Sequence, residues 1–239
     1  FVLLYAVFLL VVTLSMFSLD SDSGKSTLSL LNIVLLVVPL VSVIFTTIHF
    51  FHSYEFIELL LSQPVSRKTI FLAEFVSVAL ALCCAFLIGV ALPLMILNPS
   101  ESSVYLIFSG LLLTFVFVAL AFASSVFTRD KAKGIGISLL FWFYFTLIYD
   151  GFVLYIIYSF TDYPLDKVTL ALVSLNPVDL ARIIILLKLD LSALMGYTGA
   201  FYKNFFGSSL GIVYSFIFLF IWTVLPLLLA MRKFGRKDI

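Results

Sequence analysis

A Gly-Lys-Ser motif is the first feature of this sequence that could bind a ligand. Gly24, Lys25 and Ser26 match the end of a phosphate-binding loop, in which backbone N–H groups and a lysine hold phosphate oxygens. Leu19 occupies the position of that loop's first glycine, and apolar runs flank the motif where a strand and a helix are required. We therefore interpret the motif as part of an ordinary loop and predict no nucleotide site in it.

Two histidines could form a pair of metal ligands. His49 and His52 lie three residues apart, a spacing that places both imidazoles on one face of a helix. A closed metal site needs about four ligands, and no cluster of cysteines or carboxylates accompanies this pair. We interpret both as hydrogen-bonding side chains at the end of a span, and we predict no metal site and no catalytic residue in this chain.

Asp150 is an acid deep within a long apolar run. An ionised group at the centre of a bilayer costs on the order of 3 kcal/mol unless it meets a partner or water, so we expect Asp150 to face the interior of a helix bundle. It is either a pathway or gating residue, or a hydrogen-bonding group that holds helices together. An intramembrane hydrolase would also need a nucleophile, a base or metal ligands beside Asp150, and the apolar runs supply no paired acid or histidine.

The amino-acid composition indicates the kind of fold that positions these residues. Hydrophobic residues make up 63% of the 239 residues and charged residues 11%, whereas soluble domains are roughly half apolar and about a quarter charged. The bilayer is therefore the solvent, and no polar stretch is long enough to form a second domain. The net charge of +1 argues against a nucleic-acid partner, because phosphate binding needs a clustered excess of lysine and arginine. We predict a single all-α integral membrane domain over residues 1–239.

Six apolar runs are long enough to cross the hydrocarbon core as helices, which takes about 20 residues each. They cover residues 1–19, 28–51, 70–97, 104–127, 134–160 and 208–231. Basic residues concentrate after the second, fourth and sixth runs: Arg67, Lys68, Arg129, Lys131, Lys133, Arg232, Lys233, Arg236 and Lys237. Since Lys and Arg of short loops stay in the cytoplasm, we predict that these loops and both termini are cytoplasmic.

The longest segment between spans lies between the fifth and the sixth, and it is predicted to be extracytoplasmic. Within it, residues 178–187 form an apolar stretch that is too short to span, so we expect a helix on or in the outer membrane interface. Asn176 fits the N-cap of this helix and Pro177 its first position, with Asp179 beside the exposed N–H groups.

The loop between the second and third spans contains another short helix. Phe56, Leu59 and Leu60 fall at helical spacing, and two glutamates lie beside them. Pro64 then sets a turn before the third span. By composition alone, this amphipathic helix fits an ordinary interfacial helix as well as a docking element for a partner.

The run Glu58-Leu-Leu-Leu-Ser-Gln-Pro-Val-Ser-Arg67, followed by Ile70, resembles the first cytoplasmic loop of ABC transporter permeases of the type-2 exporter class. Within that class, the chain is most similar to permeases of the NosY type, which serve nitrous oxide reductase maturation. Phe-Trp-Phe at 141–143 ahead of Asp150, and Ser-Leu-Asn-Pro-Val-Asp at 174–179 with Arg182, carry this part of the resemblance. The resemblance extends over nearly all 239 residues.

The resemblance implies a homodimer of six-helix subunits in the bacterial inner membrane, with cytoplasmic ATPase subunits that bind ATP and Mg. This chain itself would hold no cofactor. The residues implied to couple it to the ATPase are Glu55, Phe56, Glu58, Leu59, Pro64 and Arg67. A periplasmic partner of the NosD type would meet the outer segment at Asn176, Pro177, Asp179 and Arg182. The class also has an elbow helix before its first span, so we expect residues before Phe1 that are missing from this sequence.

The function implied by the resemblance is ATP-driven movement of a copper- or sulfur-related species, or transmission of force, towards copper-site assembly in the periplasm. The same kind of permease could instead export another cargo, such as a lipid, a drug or a gliding component. An intramembrane enzyme is the remaining alternative, and it lacks the catalytic constellation that it would need.

Overall fold

The computed structural model describes residues 1–19, 23–62, 64–128, 130–160, 166–188 and 209–235. Every regular element in these ranges is a helix, which confirms the predicted all-α fold class. Part of the predicted orientation depends on Arg129, Arg236 and Lys237, which lie outside the described residues.

Among the described residues, six helices are long and apolar enough to cross a membrane, in agreement with the six predicted runs. They are α1 (Val2–Leu19), α2 (Ser23–His52), α4 (Arg67–Leu97), α5 (Glu101–Phe127), α6 (Lys131–Ser159) and α9 (Ser209–Gly235). Shorter helices are α3 (Tyr54–Leu61), between α2 and α4, and α7 (Asp166–Ser174) and α8 (Pro177–Lys188), between α6 and α9. We call the end of the bundle that carries α3 the α3 end, and the opposite end, which carries α8, the α8 end. The α3 end is the one predicted to be cytoplasmic.

The Gly-Lys-Ser motif lies in a helix and not in a loop. Helix α2 begins at Ser23, so Gly24, Lys25 and Ser26 belong to its first turn. Ser26 is buried, and its hydroxyl donates a hydrogen bond of 3.2 Å to the carbonyl of Met16 in α1. The prediction of a loop was therefore wrong, because packing against α1 extends α2 beyond the apolar run that marked its start.

Helix α5 forms the centre of the bundle. In the most apolar stretch of 18 residues in α5, 72% is buried within the protein, whereas the corresponding share is 17% in α1 and 17% in α6. The ring of Phe122 in α5 makes edge contacts with Phe50 of α2 and with Phe71 and Phe75 of α4, at centroid distances of 5.6, 5.5 and 5.7 Å. The core is thus built on α5, and α1 and α6 leave most of their apolar surface on the outside of the subunit.

A π-helical turn, Leu87–Ala91, interrupts α4 and packs against α1. Pro93 follows it, and a proline within a helix leaves the carbonyl four residues earlier without its usual donor. That carbonyl belongs to Gly89, and the hydroxyl of Thr13 in α1 lies 3.1 Å from it. Gly89 also has no room for a side chain, since a Cβ there would lie 2.6 Å from the Leu9 Cβ. The turn therefore fixes α1 closely against α4.

Candidate functional site

Helix α3 is amphipathic and lies outside the spanning helices. Ile57 is 1% exposed and anchors α3 in the core, whereas Phe56 and Leu59 are 58% and 67% exposed. Glu55 and Glu58 are exposed beside them. Two large apolar side chains flanked by acids, on a helix whose opposite face is fixed, form a surface that suits a protein partner.

The turn after α3 leads directly into α4. Helix α4 begins at Arg67, and Ser66 caps it, because the Ser66 hydroxyl oxygen accepts a hydrogen bond from the Thr69 N–H at 3.2 Å. Pro64 and Arg67 are exposed in this turn. The structure therefore brings the six residues predicted for coupling onto one exposed helix and the turn that follows it, and their role stays a prediction. These residues are Glu55, Phe56, Glu58, Leu59, Pro64 and Arg67.

A cavity of about 540 Å³ lies between α3 and the start of α4. Phe56 and Leu60 of α3 line it, together with His49 of α2 and Glu74 of α4. His49 Nδ1 lies 3.6 Å from Glu74 Oε2 and 3.3 Å from Ser53 Oγ. This space lies on the side of α3 that faces α4, whereas Ile57 attaches α3 to the core.

The two histidines contact different partners. The Lys131 ammonium donates a hydrogen bond of 2.8 Å to His52 Nε2, whereas His49 contacts Glu74 and Ser53. Within the described part of the chain, no three His, Cys, Asp or Glu side chains converge as metal ligands. The histidines take part in hydrogen-bonding contacts at the α3 end, and the absence of a metal site stays a prediction.

At the α8 end, Asp150 of α6 meets two residues of the predicted outer segment. Arg182 Nη1 lies 2.7 Å from Asp150 Oδ2 and 3.2 Å from Asp179 Oδ1. The side chains of Arg182 and Asp150 are 30% and 32% exposed, and that of Asp179 is 11% exposed. One guanidinium thus bridges two carboxylates and joins α6 to α8.

Asn176 is fully buried and bonds to the backbone of α6. A π-helical turn, Tyr144–Ile148, interrupts α6, and in it the Tyr149 N–H donates to the carbonyl of Tyr144, five residues earlier. In a regular α-helix the acceptor would be Phe145. The Phe145 carbonyl is therefore left for another donor, and Asn176 Nδ2 donates to it at 2.9 Å.

The same asparagine caps α8. Asn176 Oδ1 accepts a hydrogen bond from the Val178 N–H at 3.0 Å, and Nδ2 donates to Asp179 Oδ2 at 2.9 Å. Pro177 is the first residue of α8, so the N-cap and the first helical position predicted from the sequence are both confirmed. We call Asp150, Asn176, Asp179 and Arg182 the polar cluster.

Burial is the main cause that raises the pKa of the Asp179 carboxyl from its ordinary 3.8 to about 7. The neighbouring charge of Asp150 raises this pKa as well, and the Arg182 guanidinium lowers it. Because the polar cluster holds two carboxylates and one guanidinium, its charge near neutral pH depends on the protonation of Asp179.

Polar atoms of aromatic side chains hold α7, and they were not among the residues predicted from the sequence. The Tyr149 hydroxyl donates to the Leu172 carbonyl at 2.6 Å, and Trp222 Nε1 donates to the Ser174 carbonyl at 3.2 Å. The Ser174 and Tyr214 hydroxyls are 2.8 Å apart. The need of a Tyr O–H or Trp N–H for a hydrogen-bond partner within an apolar span is the signal that could have indicated them.

Comparisons with known proteins agree with this architecture. The family described as ABC-2 family transporter protein matches residues 1–239. The probable ABC transporter permease protein NosY of Pseudomonas aeruginosa is 34% identical over an alignment of 148 residues, and the match covers 58% of this chain and 54% of that protein. The protein of the same name from Stutzerimonas stutzeri is 29% identical over an alignment of 191 residues, and the match covers 75% of this chain and 67% of that protein. The first match thus spans about half the length of that relative, whereas the family match covers this chain from end to end. This chain belongs to the ABC-2 family of transporter proteins.

Proposed function

We propose that this chain is the membrane permease subunit of an ATP-driven transporter in the bacterial inner membrane. A separate cytoplasmic subunit binds ATP and Mg and hydrolyses the ATP, so the chain itself is not an enzyme. A second copy of the chain completes the transport pathway. Membership of the ABC-2 family supports this function, and the exposed surface of α3 is the observation that carries it.

The exposed side chains of α3 give the ATP-binding subunit a place to bind. Phe56 and Leu59 project from the α3 end, and burial of each in a cleft of the partner would contribute about 1.5–3 kcal/mol. Ile57 fixes α3 to the core, and α3 connects α2 to α4 along the chain. A movement of the partner on ATP binding is therefore passed directly to two spanning helices.

Replacement of the apolar pair tests this function. In the double variant Phe56→Asp, Leu59→Asp, expressed with the genes that surround it, we expect the ATP-binding subunit to be lost from the purified complex. Phe56→Leu with Leu59→Met keeps the surface apolar and is the matched control. Both pairs of substitutions lie outside the spanning helices, so membrane insertion should be unchanged. Equal recovery of an ATP-binding subunit with both double variants would refute the coupling role of α3.

The process that the transporter serves, in this proposal, is copper-site maturation of nitrous oxide reductase. The similarity to two NosY permeases supports this process. The cargo is then a copper- or sulfur-related species, or the transporter transmits force to the periplasm. A periplasmic protein of the NosD type binds at the α8 end. Asn176, Pro177 and Asp179 are buried and hold α8 in place, so the partly exposed Arg182 is the one of these four residues that is accessible to such a partner.

Mass spectrometry of the proteins that copurify with the intact chain separates this process from the export of another cargo. Recovery of an ATP-binding subunit together with a periplasmic repeat protein supports copper-site maturation. Recovery of an ATP-binding subunit alone favours an exporter of a lipid, a drug or a gliding component. If neither partner is recovered, the permease function is rejected and an intramembrane enzyme has to be considered again.

A further inference from the structure

A groove between α5, α6 and α9 opens on the outside of the subunit towards the α3 end, with a volume of about 340 Å³. Apolar side chains from all three helices line it, among them Ala123, Phe127, Ile137, Phe141, Pro226 and Leu229. Phe127, Ile137 and Leu229 are 58%, 37% and 48% exposed and form its open rim. Because the groove lies between spanning helices, its opening faces the hydrocarbon of the bilayer.

The length of the groove matches part of a lipid acyl chain. Leu120 and Phe127 mark its extent on α5, and Trp222 and Leu229 mark it on α9. Seven helical residues at 1.5 Å each correspond to about 10 Å. The hydrocarbon of one leaflet is about 15 Å thick, so the groove covers about two thirds of a leaflet from the α3 end.

Three basic side chains lie beyond the apolar lining of the groove, at the α3 end. Lys133 lies four residues before Ile137 on α6, and Arg232 and Lys233 lie three and four residues after Leu229 on α9. These spacings place the three basic residues on the helix faces that line the groove, about 5–6 Å beyond its last apolar residues. Lys133, Arg232 and Lys233 are all exposed, and we call them the basic patch.

Asp130 precedes Lys133 of the basic patch by three residues, and its side chain caps the start of α6. Its Oδ1 accepts hydrogen bonds from the N–H groups of Ala132 and Lys133 at 2.7 and 3.2 Å. Asp130 therefore satisfies the first turn of α6, and an anion at this place would bind to the side chains of the basic patch and not to the helix N-terminus.

We propose that this groove binds an anionic phospholipid of the bilayer, with an acyl chain in the apolar groove and the phosphate on the basic patch. Ammonium and guanidinium groups form charge-assisted hydrogen bonds with phosphate oxygens, and basic pockets between spanning helices suit acidic headgroups. A second copy of this chain is the less suitable occupant, because a twofold interface at the groove would bring two basic patches together. The proposal is independent of the transporter function.

Native mass spectrometry of the purified full chain tests the headgroup site. With equal amounts of phosphatidylglycerol and phosphatidylcholine of identical acyl chains, we expect phosphatidylglycerol to bind about tenfold more tightly. Both lipids carry the phosphate, but the choline ammonium of phosphatidylcholine is repelled by the basic patch. The triple variant Lys133→Gln, Arg232→Gln, Lys233→Gln should lose this preference. Lys68→Gln, which removes an exposed lysine at the same end but outside the groove, is the control and should keep it. A preference that persists in the triple variant would overturn the proposal.

Narrowing of the groove tests the acyl-chain site. Ala123→Leu adds bulk inside the groove and should reduce the binding of both lipids, and Ile137→Phe at the rim serves the same purpose if the first variant does not fold. Binding of both lipids at the wild-type level in the folded variant would contradict the proposal. A variant that changes the oligomeric state and leaves lipid binding intact would identify the groove as a protein interface and likewise overturn it.

Discussion

Replacement of Asp179 by asparagine should remove a pH dependence from the stability of this protein. The Asp179 carboxyl has its ordinary pKa of 3.8 in the unfolded chain and a pKa of about 7 in the folded protein. Between these values the folded protein holds a proton that the unfolded chain has lost, so the stability falls as the pH rises through this window. Asparagine has no proton to lose, and the remaining Asp150 is balanced by Arg182.

The size of the effect follows from the two pKa values. Their difference corresponds to about 4 kcal/mol at about 1.36 kcal/mol per pKa unit, which is an upper limit. The side chains of Asp150 and Arg182 are 32% and 30% exposed, and water weakens the interactions of charges at such positions. We therefore expect the wild type to lose about 2 kcal/mol more than Asp179→Asn between about pH 5 and about pH 8. For a protein of this size, that loss is equivalent to about 4–8 °C in the unfolding midpoint.

Thermal unfolding of the purified protein in detergent, followed by tryptophan fluorescence, measures this difference. Trp222 is a suitable reporter, because it is bonded to Ser174 just before the polar cluster. Glu101→Gln is the control, since Glu101 is a 68% exposed acid at the same end of the bundle and pairs with Lys188. If the wild type and Asp179→Asn show the same pH dependence, or if the wild type alone gains stability as the pH rises, the assignment of the raised pKa to Asp179 is wrong.

Two further pairs of variants test the packing and the charge balance in the same assay. Gly89→Ala should lower the stability by about 1–3 kcal/mol, because the added Cβ would lie 2.6 Å from a side chain of α1. Gly136→Ala, with open space at its Cβ position, should not lower it. Arg182→Leu should destabilise the protein more than Asp150→Leu, because it leaves two carboxylates without a cation, whereas Asp150→Leu leaves Asp179 paired with Arg182. Equal losses within either pair would contradict the corresponding argument, and a stable but inactive Asp150→Leu would identify a pathway residue.

The spanning helices and α3 were predictable because their signals are local. An apolar run of sufficient length indicates a span wherever it occurs. The helical spacing of apolar residues beside two glutamates, before Pro64, indicates a short amphipathic helix. The pairing of Asp150 with Arg182 was not predictable in this way, although both residues were singled out. The two lie 32 residues apart, and their contact depends on how α8 packs against α6, which no local pattern describes.

The π-helical turn of α6 contacts the polar cluster through Asn176, and the π-helical turn of α4 contacts α1. Neither turn produces a signal in the hydropathy of the sequence. In α6 the π turn leaves the Phe145 carbonyl for Asn176. In α4, Pro93 beside the π turn leaves the Gly89 carbonyl without its usual donor, and the Thr13 hydroxyl lies 3.1 Å from this carbonyl. A carbonyl without a donor in hydrocarbon costs several kcal/mol, so these contacts tie α1 to α4 and α8 to α6.

These polar contacts are important for α1 and α6 because both helices are little buried within the protein. Only 17% of the most apolar stretch of 18 residues is buried within the protein in α1, and the same share in α6. Packing alone therefore holds both helices weakly. The polar contacts at the π turns therefore carry a larger share of their attachment than they would in α5, which is 72% buried. In the proposed transport cycle we expect α1 and α6 to be the spans that move with the smallest loss of buried apolar surface, and the π turns to be the places where a polar contact then holds or breaks.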